Sequence, residues 1–354
     1  MQNLKILRDF GRLEIFREAS QYLDQEFLIK AILEDHDHFR NYPPAATFER
    51  SFWKWVIDTV ETRGEEVDER IYHRYITLLA KPRVPEAQMA PSSSYTTYFI
   101  EPPLESKSLL ENLIRSPFAR EWPGVLSITM LESRKTLEQG TTGLRTWQPG
   151  LIFADWLLRN PSIAKGRVLE LGCGAGLTAI ITALIQKALS DQGETDLSLC
   201  LTDFNENVIN ACKRNVNLQV NQLSERSEIC WRMLDWNDAL PGAADRESLL
   251  TILREFNPTV VFGTDLVYDT TIIPALAYTL SILAFELPNS PDIILAVTLR
   301  RMATIETFFE ELGKLGLSAS MHDLLSLEDT VFAKRNDVDK TAIVKLVRVF
   351  RTER

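Results

Sequence analysis

The chain has 354 residues, 45% of them hydrophobic and 25% charged, with a formal net charge of −10. That balance excludes a disordered or fibrous chain, and no apolar stretch reaches the roughly 18 residues that a membrane-spanning helix needs. A protein that grips the nucleic acid backbone presents a basic face, which this composition lacks in bulk; an acidic surface suits a basic protein partner instead. Residues 4–34 carry apolar side chains at helical spacing, from Leu4, Leu7 and Phe10 to Phe27, Leu28 and Ile32. The same periodicity predicts helices over about 47–60 and 69–79. Prolines at 82, 85, 91, 102 and 103 then exclude long helices and predict a linker around one extended run, 95–100. From residue 125 the pattern changes. Residues 126–131 read as a strand, and 150–159 as an amphipathic helix stopped by Asn160 and Pro161. Beyond them, strands are expected at 167–171, 197–202, 229–234, 259–264 and 292–299, with helices at 177–189, 206–218, 271–287 and 305–315. Continuous apolar strands alternating with helices predict a parallel sheet covered on both faces. The last two runs, near 317–325 and 342–350, have no helical segment between them, so they should pair as an antiparallel hairpin. The expected organisation is a helical region over 1–90 that docks a partner, a linker over 91–124 and an α/β domain over 125–354.

Open α/β sheets bind ligands at the carboxyl ends of their strands, so the strand ends carry the chemistry. The first core strand ends in Glu170-Leu171-Gly172-Cys173-Gly174-Ala175-Gly176-Leu177. Glycines at alternate positions allow a tight turn that a ligand can approach at its backbone. A dinucleotide fingerprint would place its third glycine at position 177, so a pyrophosphate ligand is disfavoured. Alternating glycines after a glutamate instead resemble the cofactor loop of the seven-stranded S-adenosyl-L-methionine (AdoMet) methyltransferases. A parallel sheet closed by a C-terminal hairpin is also the outline of that fold. The expected class is therefore α/β: a seven-stranded Rossmann-like methyltransferase sheet closed by a C-terminal antiparallel hairpin, with a helical N-terminal region.

Within that fold, Asp203 at the end of the second core strand can accept both ribose hydroxyls, while Asn205 is free to cap the following helix. Asp235, in Leu234-Asp235-Trp236, would meet the adenine edge. The fourth core strand ends in Thr264-Asp265-Leu266-Val267-Tyr268, over the transferred methyl group. Enzymes acting on amide or adenine nitrogens typically show Asn/Asp-Pro-Pro-Tyr/Phe there, whereas Asp-x-x-Tyr resembles the group that methylates protein lysines. A carboxylate attracts an incoming ammonium, an aromatic face tolerates a cation, and desolvation moves a lysine pKa toward neutrality. Upstream, Gly140-Thr141-Thr142-Gly143-Leu144-Arg145-Thr146-Trp147 reads as a lid over the cofactor.

In that order, these motifs look like those of the eukaryotic elongation factor 2 lysine methyltransferases, which also carry a helical N-terminal region of this size. The resemblance spans the chain, and its specific motifs lie within 140–268. It implies methyl transfer from AdoMet to a lysine of elongation factor 2 in the cytoplasm. The expected cofactor contacts are Trp147, Glu170, Gly172, Gly174, Gly176, Asp203, Asp235, Trp236 and Thr264, and the expected catalytic pair is Asp265 and Tyr268. The sequence departs from the family at Gln148-Pro149, where an acidic and a small residue are usual, and at Cys173, where serine is also frequent. The alternatives are an AdoMet-dependent enzyme for another protein, a small molecule or nucleic acid, and a non-catalytic AdoMet-fold binding module.

The remaining features are less informative. Asp35-His36-Asp37-His38 has ligand-type residues, but histidines two apart do not share a helix face, and a solvated turn is expected. Cys173, Cys200, Cys212 and Cys230 lack paired metal spacing and read as buried thiols of a reducing compartment. The start of the chain lacks the apolar core of a secretory signal. We expect a cytoplasmic monomer with no metal and no membrane contact. Arg300-Arg301 is an example of a local basic patch within this acidic balance.

Overall fold

Among the described residues of the computed structural model (2–15, 17–34, 37–80, 93–113, 118, 122–135, 137–138, 140–223, 228–333 and 342–352), nine strands form two sheets. The proline-bearing stretch at 82–91, Asp35 with His36, and the connection through 334–337 lie outside the described residues. A two-stranded antiparallel sheet joins β1 (Ser94–Ile100) to β2 (Leu126–Glu132). The larger sheet contains β3 (Arg167–Leu171), β4 (Ser198–Asp203), β5 (Ile229–Met233), β6 (Val260–Thr264), β7 (Asp292–Thr298), β8 (Leu317–Asp323) and β9 (Val344–Arg351). Its order is β5-β4-β3-β6-β7-β9-β8. The first five run parallel, and β9 pairs antiparallel with both β7 and β8. The parallel sheet and closing hairpin match the sequence expectation, but the return between the last two strands is not free of helix: a 3-10 turn, Leu327–Asp329, follows β8.

The reason is burial on both faces. Val168, Leu169 and Leu171 of β3 are fully enclosed, as are Leu199 and Leu201 of β4. Helices Gln148–Arg159 and Leu177–Asp191 cover one side of the sheet; Arg246–Phe256, Ile273–Phe285 and Met302–Lys314 cover the other. The helix at Arg246–Phe256 was not anticipated from sequence. It buries Leu249, Leu250 and Leu253 along one narrow stripe, and its flanks are charged. A second unanticipated helix, Leu104–Leu110, starts directly after Pro103, a position where proline costs no helical hydrogen bond.

The N-terminal periodicity over 4–34 is not one helix. Gln2–Gly11 stops where Leu13 adopts φ +62°, and the chain continues through a tight turn at Arg17–Tyr22, a short helix at Gln25–Leu28 and a wider coil at Ile29–Glu34. Together with Ala46–Thr62 and Glu69–Ala80, these segments enclose a separate core around Phe10, Phe52 and Trp53. Phe10 meets Phe39 and Phe52 edge-on at 4.9 and 4.6 Å.

The β1–β2 hairpin is the wall shared by both cores. Side chains alternate across a strand, so Tyr98 and Ile100 enter the core of the large sheet while Phe99 enters the N-terminal core. Gly11 lies so close to β1 that a Cβ there would come within 2.6 Å of the Thr97 carbonyl oxygen. On the other edge, Asn221 exchanges two hydrogen bonds with the Thr129 backbone (2.9 and 2.8 Å), and Asn215 does the same with Leu131 (2.8 and 3.1 Å). Two amide side chains thus pair with β2 as a further strand would. A boundary at 124/125 passes between these paired strands. His38 is a correction to the solvated turn expected around it: it is buried, and its Nε2 lies 3.0 Å from Thr97 Oγ1.

Candidate active site

A cavity of about 550 Å3 opens at the carboxyl ends of β3, β4 and β6 and the loop that follows β5. Trp147, Gly172, Gly174, Gly176, Asp203, Asp235, Trp236, Thr264, Asp265 and Tyr268 all line it. Glu170 is the one expected site residue that does not.

The glycine turn is needed chiefly for packing. Gly172, Gly174 and Gly176 adopt φ of +65°, +53° and +96°, which disfavours any side chain. A Cβ on Gly172 would meet Leu266 at 2.8 Å, and one on Gly176 would meet Cys212 Sγ at 2.9 Å. Those contacts lie within the protein, so two of the three glycines let the loop sit tightly on its own support. Gly174 is different: its nearest neighbour is the Gly143 carbonyl at 3.4 Å, across the cavity wall.

Asp203 terminates β4 with 8% of its surface exposed. Burial pushes its carboxyl up to about 6, opposed by backbone N–H groups donated from Asn205, Gly174 and Phe204. It therefore ties β4 to the glycine loop while keeping a desolvated acceptor at the cavity. Asn205 caps the next helix by accepting from the Asn207 N–H at 2.9 Å, as the sequence suggested. Asp235 is exposed and accepts from the Asn237 backbone and side chain, both at 2.9 Å, which presents it beside Trp236.

Glu170 is fully buried under the loop, where the Thr178 hydroxyl donates to Oε1. Burial, opposed by that hydrogen bond and helped by the Asp203 charge, pushes its carboxyl up to about 8. A raised acid keeps its proton in the folded state where the unfolded chain has lost it, so its contribution to stability is complete below about 4.5 and is lost as pH rises toward 8. Glu170→Gln should remove this term: between pH 6 and pH 8, wild type should lose about 2–3 kcal/mol relative to the variant. Denaturant titrations at the two pH values measure it, and parallel slopes for the two proteins would show that the carboxyl is already ionised.

Asp265 follows β6 with φ +56°. Its N–H donates to the Ala296 carbonyl at 2.8 Å, its Oδ1 accepts from Thr298 Oγ1 at 2.9 Å, and its Oδ2 accepts from an Arg300 Nη at 3.0 Å. Tyr268 stands at the mouth, half exposed, with burial and the nearby Asp269, Asp203 and Asp265 charges raising its phenol. Exposed Leu137 and Phe204 line the cavity with it.

On the lid side, Trp147 Nε1 donates to the Thr142 carbonyl at 3.0 Å. The Arg145 and Arg300 guanidinium carbons lie 5.6 and 5.8 Å from its ring centre. Gln148 is buried, with Nε2 reaching the Ala342 carbonyl at 3.3 Å, and Pro149 sits in the first helical turn, where the departure from the family motif is accommodated without loss of helix. Sequence reasoning gave no role to Arg145, Phe204 or Arg300. Arg300 lies two residues beyond β7, so the rule that led to the other strand ends also reaches it. Among the described residues no cluster of three or more metal-ligating side chains occurs, and no helix is long and apolar enough to cross a membrane.

The family model for lysine methyltransferases matches residues 128–315. The chain is similar to the protein-lysine N-methyltransferase EFM3 of Chaetomium thermophilum, with 34% identity over 267 residues covering 75% of this chain and 70% of that protein. It is similar to human protein-lysine N-methyltransferase EEF2KMT at 31% identity over 203 residues, or 54% of this chain and 56% of that one. The bovine protein of the same name matches at 29% identity over 296 residues, covering 78% and 74% of the two chains. The match to the human protein thus spans little more than half its length.

Proposed function

The chain belongs to the lysine methyltransferase family, and on that premise we propose that it transfers methyl groups to a lysine of elongation factor 2. The observation that carries this reading is one cavity lined by the acceptor carboxylates Asp203 and Asp235, by Trp147 and Trp236, and by Asp265 with half-exposed Tyr268. Half-exposed Tyr268 and exposed Leu137 and Phe204 give a surface where a side chain of a large protein can enter. The names carried by the relatives, EEF2KMT among them, support the substrate.

The cofactor is AdoMet. The residues fit it: Asp203 is a desolvated acceptor held by backbone N–H groups, suited to two ribose hydroxyls, and Asp235 beside Trp236 suits an adenine with its exocyclic amine. Bound there, AdoMet would supply an electrophilic methyl group for in-line displacement. The work of the protein is alignment and desolvation. Trp147, Gly172, Gly174, Asp203, Asp235, Trp236 and Thr264 would hold the cofactor, with Gly176 shaping the loop and Glu170 supporting it from beneath. Asp265 would accept from the target amine and orient its lone pair, and the Tyr268 ring would flank the aliphatic stem and exclude water.

Asp265→Asn and Tyr268→Ala should each lower kcat by about 100-fold, the scale of a lost positioning contact, while S-adenosylhomocysteine affinity stays within twofold. Calorimetry and single-turnover rates separate the two effects; a matching loss of cofactor affinity would place these residues in the cofactor site instead. The substrate itself is tested by mass spectrometry of elongation factor 2 from cells with and without the enzyme. An unchanged methylation pattern would redirect the search to other proteins.

A further inference from the structure

The carboxylate assigned to the target amine is not held by its own strand. Asp265 lies one residue beyond β6 on left-handed backbone, so the pleat of the sheet does not set the direction of its side chain. Its restraints come from the neighbouring strand. β7 runs parallel to β6 with Thr264 opposite Ala296, and the end of β7 with the chain just beyond it supplies two donors: Thr298 Oγ1 to Oδ1 at 2.9 Å and Arg300 Nη to Oδ2 at 3.0 Å. The Asp265 side chain is 11% exposed, so this ion pair is largely shielded from solvent on the acid's side. Arg300 is itself seated. Its guanidinium carbon lies 5.8 Å from the centre of the Trp147 ring, within range of an attractive cation–aromatic contact. Trp147 in turn is pinned by its N–H on Thr142.

We propose that Arg300 is a positioning residue for methyl transfer: braced by Trp147, it holds the Asp265 carboxylate in the orientation that receives the target amine. This rests on the reading that Asp265 faces that amine. One Arg300 Nη holds Oδ2 while the Thr298 hydroxyl holds Oδ1, so the two donors together fix the place and the plane of the carboxylate. The chain of contacts also links the lid to the reacting end of the cavity, since Trp147 touches Arg300 and Arg300 touches Asp265.

The test is a double-mutant cycle with Arg300→Ala, Arg300→Lys, Asp265→Asn and the Arg300→Ala/Asp265→Asn pair. Rates are read as tritium passed from labelled AdoMet to protein in a lysate of cells lacking the enzyme. The identity of the labelled protein then tests the substrate, and the relative rates test Arg300. We expect Arg300→Ala to slow transfer about 100-fold, Arg300→Lys to recover part of that loss, and the double variant to be no slower than Asp265→Asn alone. Affinity for S-adenosylhomocysteine should stay within twofold in each, which also shows that each is folded. Losses that multiply in the double variant, or an Arg300→Ala rate equal to wild type, would overturn the proposal. So would an Arg300→Lys variant as slow as Arg300→Ala, because plain charge and bulk at that position would then have no bearing on Asp265.

Discussion

Asp203→Ala should weaken binding of S-adenosylhomocysteine by at least about a hundredfold. Two hydrogen bonds from ribose hydroxyls to an ionised carboxylate contribute about 1.5–3 kcal/mol each, so losing both costs about 3 kcal/mol or more. A second loss adds to this. The same carboxylate receives N–H groups from Gly174, Phe204 and Asn205, so its removal takes away one tie between the glycine loop and β4 and leaves the Cys173 N–H on the Thr202 carbonyl. Asp203→Asn keeps an acceptor and should lie between wild type and the alanine variant. Because burial pushes the Asp203 carboxyl up to about 6, affinity should also fall as pH drops through that value, since the protonated form accepts less well. Calorimetric titration from pH 5 to pH 8 measures both effects. Full affinity in Asp203→Ala would remove the ribose assignment.

Deleting residues 1–80 should leave a protein that neither stays soluble nor binds cofactor. The deletion strips Phe99, Phe118, Trp122 and Val125 of the core they enter, and it exposes the outer face of the β1–β2 hairpin. It also removes Arg12, whose guanidinium donates to the carbonyls of Val331 and Ala333, far along the chain. The inner face of the same hairpin supplies Tyr98, Ile100, Ile128 and Met130 to the core beneath the large sheet, so the damage does not stop at the N-terminal region. Phe10→Ala is the graded form of the experiment and should cost about 3–5 kcal/mol, a large share of the total stability of an ordinary domain. Denaturant melts and size-exclusion chromatography check both. A truncated chain that remains soluble with wild-type affinity would mark the region as a separable docking module.

The large sheet was legible because its inner parallel strands, β3, β4, β6 and β7, are buried on both faces and read as largely apolar runs. The strand ends followed from there, and with them Asp203, Asp235, Asp265 and Tyr268. What could not be read were features that depend on direction or on distant partners. Glu170 and Gly172 are two residues apart, yet one carboxylate lies beneath the loop against Thr178 while the other position lines the cavity. No spacing rule distinguishes an acid that points into a site from one that supports it. The glycines were correctly placed but for an incomplete reason, since the contacts with Leu266 and Cys212 involve residues about 90 and 36 positions away. Arg300 needs three segments, 147, 265 and 300, to meet before it has a role. In the N-terminal region, helical periodicity was real but the turn at Leu13 broke one long prediction into short segments.

The placement of β9 has a consequence for how this molecule is made. Because β9 lies between β7 and β8, a growing chain that has just produced β8 still has nowhere to add it. Until some twenty further residues emerge, the flank of β7 is an open row of unpaired amides and carbonyls, the kind of edge on which nascent proteins associate wrongly. Synthesis of this enzyme therefore passes through a vulnerable interval between β8 and β9, and it is there that a folding helper would have the most to shield.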